Sequence, residues 1–126
     1  MKSLSILIPI YNEEESLLAL FDELKFSLEN NQSIEIIFIN DGSSDMSQKV
    51  IENEIANHST WKLINLYRNY GKSVALQSGI DIASSELIAT LDGDLQDDPK
   101  ELINLARELN EDDVIVGWKK DRLDPL

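Results

Sequence analysis

Leu87-Ile88-Ala89-Thr90-Leu91-Asp92-Gly93-Asp94-Leu95-Gln96-Asp97-Asp98-Pro99 runs from an apolar segment of strand length, through a turn crowded with carboxylates, into a helix start. A buried strand that ends in polar residues and leads at once into a helix is the building unit of a parallel sheet, because parallel neighbours need a crossover between them. Outward from this stretch the same unit recurs. Strands are expected at Leu4 to Ile10, Ile34 to Ile39, Lys62 to Leu66, Leu87 to Leu91 and Val114 to Val116. Helical period places Leu17, Phe21, Leu24 and Leu28 on one buried face, Met46, Val50 and Ile55 on a second, and Leu102, Leu105, Ala106 and Leu109 on a third. Lys72 to Ala83 supplies the remaining helix. The alternation predicts an α/β fold, a doubly wound and mostly parallel sheet with helices on both faces. No repeat, low-complexity tract or linker divides residues 1–126, so one domain is expected.

Composition narrows the chemistry. A chain of 126 residues that is 42% hydrophobic can bury a core of its own. With no cysteine and a single histidine, His58, thiol nucleophiles and zinc-thiolate sites are excluded, and any metal must be held by oxygen. Eleven basic residues against 24 acidic ones, net charge -13, exclude nucleic acid as a partner, because phosphate binding needs clustered Lys and Arg. No run approaches the roughly 18 to 20 apolar residues that span a bilayer, and Met1 to Ile10 lacks the pattern of a signal peptide. The chain is expected to be soluble and cytoplasmic.

In doubly wound sheets ligands collect outside the carboxyl ends of the strands. Pro9 to Glu14, Asn40 to Asp45, Tyr67 to Ser73 and Asp92 to Pro99 should therefore meet at one edge. Asp92 and Asp94, at i and i+2 around a glycine, can turn their oxygens onto one hard cation such as Mg2+ or Mn2+ and leave positions for phosphate oxygens. Asp97 and Asp98 before Pro99 instead suit a helix N-terminus. An EF-hand does not fit, since its sixth and twelfth positions would be Asp97 and Ile103. Asp41 ends the second strand, where a carboxylate either accepts hydrogen bonds from a base or ribose or belongs to a turn in which Ser43 or Ser44 caps the next helix. Gly71-Lys72-Ser73 is not a P-loop, because Leu66 stands where the first glycine is needed. Lys72 either meets an anion at a helix N-terminus or is a surface lysine. Pro9, which cannot donate to a ladder, should end the pairing of the first strand. Tyr11 can stack on a base and Glu13 reach a ribose or base, or the segment is a plain strand exit with Asn12 capping the first helix. His58, Trp61 and Trp118 are read as structural.

Ile8-Pro9-Ile10-Tyr11-Asn12-Glu13-Glu14, Asn40-Asp41-Gly42-Ser43-Ser44-Asp45, Arg68-Asn69-Tyr70-Gly71-Lys72 and Leu91-Asp92-Gly93-Asp94-Leu95-Gln96-Asp97-Asp98-Pro99 together resemble glycosyltransferase family 2, in order and spacing, over nearly the whole chain. The Leu95-Gln96 pair is most similar to polyprenyl-phosphate hexose synthases of envelope glycan pathways, such as dolichyl-phosphate mannose synthase and bactoprenol glucosyltransferases. The resemblance implies the GT-A fold, nucleoside contacts from Pro9, Tyr11, Glu13 and Asp41, Lys72 near the nucleotide, and Asp92, Asp94 and Gln96 around Mg2+ or Mn2+. Asp92 counts in both sets. It implies inverting transfer of a hexose-type sugar from a UDP- or GDP-sugar to a polyprenyl phosphate or glycan acceptor, at the cytoplasmic face of the membrane. Where family members often carry an arginine for the diphosphate, this chain has Gly117-Trp118-Lys119-Lys120, with Arg122 later. Acceptor-side residues of the family come from sequence beyond Leu126, so catalytic residues on that side are not expected within the chain. An exposed apolar docking face, association with a membrane surface, or a homodimer would accord with a missing half. Two other classes compete with an enzyme domain: a noncatalytic nucleotide-binding module, and a phospho-acceptor signalling domain, which would carry its acidic pair where this chain has Tyr11-Asn12-Glu13.

Overall fold

All seven residues of β2 (Ile34–Asn40) are buried, as a strand must be when it has neighbours on both edges and helices on both faces. The computed structural model describes residues 3–28, 33–93 and 98–108. In chain order the elements are β1 (Leu4–Ile10), α1 (Glu14–Ser27), β2, α2 (Ser47–Ile55), β3 (Trp61–Asn65), α3 (Lys72–Ile82), β4 (Leu87–Thr90) and α4 (Pro99–Glu108). The four strands are parallel in the order β3-β2-β1-β4. Winding runs outward from β1 to β3 and then returns to the other side of β1, so strand order reverses between β1 and β4. The fifth strand expected at Val114 to Val116 lies outside the described residues.

Alternation of side chains sorts the core into two layers. Leu4, Ile6, Ile8 and Ile10 of β1 and Ile34, Ile36 and Phe38 of β2 face α1, α2 and α4, which contribute Leu17, Leu20, Phe21, Leu24, Ile51, Leu102, Ile103 and Ala106. Leu7, Ile37 and Ile39 face the opposite way, onto Ala75 of α3. Gly79 lets α3 sit close, since a Cβ there would lie 3.0 Å from Ile39 and 3.1 Å from Leu7. The sheet is thus covered on both faces, as the strand and helix alternation implies.

Local boundaries differ from the sequence reading at several points. Trp61 opens β3 one residue early, pairing with Ile36, and its ring lies 6.2 Å from Phe21 and 5.7 Å from Phe38. His58 stacks on it at 3.8 Å and meets Glu54 through Nε2 at 2.7 Å, packing that accords with the structural reading of His58 and Trp61. Met46 is not on the buried face of α2. It is 55% exposed just before the helix, and Ser47 and Ile51, one turn apart, face inward instead. Pairing of β1 does not stop at Pro9 on both sides: it runs through Ile10 against β2 but ends at Leu7 against β4. Leu7 O accepts from Leu91 N while Ile10 O accepts from Asp41 N, so the missing N–H of Pro9 points toward the β4 side, where the ladder has ended. Asp98 does cap α4, its Oδ1 accepting from Lys100 N at 3.0 Å and its carbonyl from Leu102 N, with Pro99 in the first helical position. Asp97 lies outside the described residues.

On the α3 face, at the edge away from the carboxyl ends of the strands, Glu35 is 8% exposed. It accepts from Ser5 Oγ at 2.7 Å and Ser84 N at 3.2 Å, and pairs with Lys62. Burial alone would raise its pKa, but the hydrogen bonds from Lys62, Ser5 and Ser84 outweigh it and hold the carboxyl below its usual value. A lowered folded-state pKa stabilises the fold above the unfolded-state value, and that stability is lost as pH falls through the folded-state value. Urea unfolding between pH 7 and pH 3 should show a fall in stability below about pH 4.5 that Glu35→Gln reduces. An identical pH profile in the variant would show that Glu35 does not titrate differently on folding.

Candidate active site at the strand-order reversal

Two loops are laced together before they reach the site. Asn12, with φ 51°, takes the left-handed conformation that asparagine tolerates better than most residues. Its Oδ1 accepts from Ser44 N at 2.8 Å and Asp45 N at 3.3 Å, while its own N–H donates to Ser43 Oγ at 2.9 Å. Glu13 N donates to Ser47 Oγ at 3.0 Å, and Asp45 Oδ1 accepts from Ser47 N at 2.9 Å. These bonds replace the expected caps. Asn12 does not cap α1, whose start bonds instead to Ser47 Oγ and Asp45 Oδ2 of the neighbouring loop, and neither Ser43 nor Ser44 caps α2, where Ser47 N bonds to Asp45 Oδ1. The lacing holds Tyr11 and Glu13 at a set distance from Asp41.

Asp41, 4% exposed, then ties the second loop to the third. Its Oδ1 accepts from Tyr70 N at 2.8 Å, and its Oδ2 accepts from Gly71 N at 3.0 Å and Asn69 Nδ2 at 3.1 Å. Gly71, at φ 100°, turns the chain into α3, and the first residue of that helix is Lys72. Lys72 Nζ reaches Asp92 Oδ1 at 2.8 Å, which joins the third loop to the fourth. Gly93 permits the approach of the first and fourth loops, because a Cβ there would lie 2.4 Å from Ile10 Cδ1. Ser16 Oγ donates to Gly93 O at 3.0 Å and lies 3.3 Å from Glu13 Oε2.

The result is an open cleft of about 350 Å3 at the reversal of strand order. Pro9, Tyr11, Glu13, Asp41, Lys72 and Asp92, all six described residues singled out from sequence, line it. Ile10, Asn69, Gly71 and Gly93 line it as well. Asn69 was not singled out. The available signal was a side-chain amide in a strand-to-helix turn, but its bond to Asp41 joins residues 28 apart and cannot be read from spacing. Tyr11 is 48% exposed and can offer a ring face to a planar ligand. Asp92, whose side chain is 14% exposed, is a hard oxygen donor that already carries a cationic group, the Lys72 ammonium. Asp94 and Gln96, as well as Lys119, Lys120 and Arg122, lie outside the described residues. Among the described residues no three acidic or histidine side chains cluster as a metal site. No described helix is long and apolar enough to cross a membrane.

The model of the family described as glycosyl transferase family 2 matches residues 5–124. The chain belongs to that family. Among curated proteins, the dodecaprenyl-phosphate galacturonate synthase of Rhizobium johnstonii is 38% identical over 127 residues, covering 98% of this chain and 38% of that protein. The undecaprenyl-phosphate 4-deoxy-4-formamido-L-arabinose transferase of Proteus mirabilis is 38% identical over 124 residues, covering 95% of this chain and 37% of that protein. The chain therefore spans less than two fifths of the length of either relative. In fold it is similar to residues 1–349 of S. aureus TarS, with a TM-score of 0.71, 21% identity, and 83% of this chain and 31% of that one covered. It is also similar to the mannosyltransferase PcManGT from Pyrobaculum calidifontis, solved with GDP-Man and Mn2+, with a TM-score of 0.68, 19% identity, and 74% and 28% covered. These likenesses establish the GT-A-like arrangement that the four sequence motifs imply.

Proposed function

We propose that the chain is the donor-binding part of a glycosyltransferase that moves a hexose-type sugar, with inversion, from a UDP- or GDP-sugar to a polyprenyl phosphate. The observation that carries this reading is the convergence of Pro9, Tyr11, Glu13, Asp41, Lys72 and Asp92 on one cleft at the strand-order reversal, the place where such sheets bind nucleotides. Tyr11 stacks on the base and Glu13 accepts from the ribose or base. Asp41 shapes the nucleoside end chiefly by fixing the β3–α3 turn, since three donors already engage its carboxylate. Lys72, at the N-terminus of α3, binds the diphosphate with help from the helix dipole.

Asp92, with Asp94 and Gln96, would hold Mg2+ or Mn2+. When bound, the ion supplies positive charge to the departing nucleotide diphosphate. The carboxylate chemistry of Asp92, its small exposure and its existing cationic partner suit that role. The names of the two curated relatives favour a lipid phosphate over a glycan as acceptor, and a polyprenyl chain on that acceptor would bring the reaction to a membrane surface. A phosphate acceptor is already anionic, so its attack needs little from a general base.

Calorimetric titration of UDP and GDP, each with and without Mn2+, tests the reading on the wild type and Asp92→Asn. One nucleotide should bind more tightly with Mn2+, and the variant should lose that gain. Failure of both nucleotides to bind the wild type, with or without Mn2+, would overturn the proposal.

A further inference from the structure

Lys72 opens α3 and Asp92 lies just past the end of β4, yet their side chains meet at 2.8 Å across the cleft. The lysine is held there from behind. Asp41 grips the N–H groups of Tyr70 and Gly71 at 2.8 and 3.0 Å, so the backbone leading into Lys72 has a fixed position. The two partners differ in their access to water: the Asp92 side chain is 14% exposed and the Lys72 side chain 48%. A withdrawn carboxylate needs a counter-charge, whereas a lysine on a flexible stem can leave with modest loss. Among the described residues lining the cleft, Lys72 is the one cation, set among Glu13, Asp41 and Asp92.

We propose that Lys72 is an exchangeable internal counter-ion. It neutralises Asp92 while no ligand is bound, yields Asp92 to a divalent cation, and carries its ammonium to the nucleotide diphosphate. This inference rests on the metal and nucleotide reading of the cleft given above. A divalent cation competes well for a hard carboxylate oxygen, and the released ammonium remains at a helix N-terminus, where an anion is favoured. Binding of metal alone must break the ion pair, and so must binding of diphosphate alone to Lys72. Bound together, they share that loss, which makes their binding cooperative.

The test measures binding of Mn2+ alone, by electron paramagnetic resonance, and of UDP and GDP alone in EDTA, by calorimetry, on the 126-residue chain. Lys72→Met should bind Mn2+ alone roughly fivefold more tightly, the scale of a partly exposed ion pair removed. It should bind the nucleotide about tenfold more weakly, from loss of a charged phosphate contact. Opposite signs in one variant do not follow from a damaged fold, which would weaken both. Lys72→Arg, which keeps the charge on Asp92, should leave Mn2+ affinity at the wild-type level. Lys49→Gln, an equal charge change on the exposed side of α2, should move neither affinity. Unchanged or weaker Mn2+ binding in Lys72→Met, with nucleotide binding reduced, overturns the exchange and leaves the nucleotide site standing. Absence of Mn2+ and nucleotide binding in the wild type overturns the exchange and the reading beneath it together.

Discussion

Gly42→Ala should lower the melting temperature by about 10 °C or more and abolish nucleotide binding at the cleft. Gly42 has φ +72°, and a Cβ there would lie 2.3 Å from both Arg68 C and Asn69 N and 2.8 Å from Arg68 Cα. All three are backbone atoms, so no rotamer change relieves the contact. The loop after β2 must part from the loop after β3, at a cost of about 3 kcal/mol from overpacking and left-handed strain together. Parting them also pulls Asp41 away from Asn69, Tyr70 and Gly71, which lets Lys72 drift from Asp92. Gly71→Ala is the informative comparison. Its backbone, at φ +100° and ψ 164°, suits alanine less well than that of Gly42, but its Cβ would meet nothing within 4 Å, so only backbone strain is added. Differential scanning calorimetry should therefore rank Gly42→Ala well below Gly71→Ala, and equal melting temperatures would show that the two loops separate freely.

Asp41→Ala should cost about 2 to 4 kcal/mol, because it removes one carboxylate that satisfies three donors in a nearly buried position. The amides of Tyr70 and Gly71 lose their acceptor, so hydrogen exchange at those two positions should accelerate more than in the β1 and β2 ladders. Nucleotide affinity should fall with it, since the turn that presents Lys72 is no longer held. Asp41→Asn retains one acceptor oxygen and should sit between wild type and alanine in both measurements. Wild-type stability and amide protection in Asp41→Ala would mean that the turn is held by other contacts, leaving Asp41 to act on the nucleoside directly.

The family and the class of fold were readable because both depend on order along the chain. Strand-length apolar runs such as Ile34 to Ile39 alternate with helical periods such as Leu17, Phe21 and Leu24, and this pattern admits few topologies. The cleft residues were readable for a related reason: each of Tyr11, Glu13, Asp41, Lys72 and Asp92 follows a strand, and parallel strands bring their carboxyl ends to one edge. Cap assignments failed where local preference met a nearby loop. Asn12, Ser43 and Ser44 are good caps in isolation, yet their hydrogen bonds run between loops more than 30 residues apart. Met46 failed similarly, because Ser47 turns inward to accept from Glu13 N and sets the buried face of α2 one residue later.

Sequence by itself thus determined the alternation of elements and the strand ends that line the cleft, both of which are properties of local composition and order. Only the tertiary structure decided that Asp41 grips the β3–α3 turn, that Gly42 must lack a Cβ, and that Lys72 rests on Asp92. Those three facts depend on contacts between loops that chain order leaves 20 or more residues apart, and the distances across such contacts are set by the packed sheet and helices rather than by any residue's own preference.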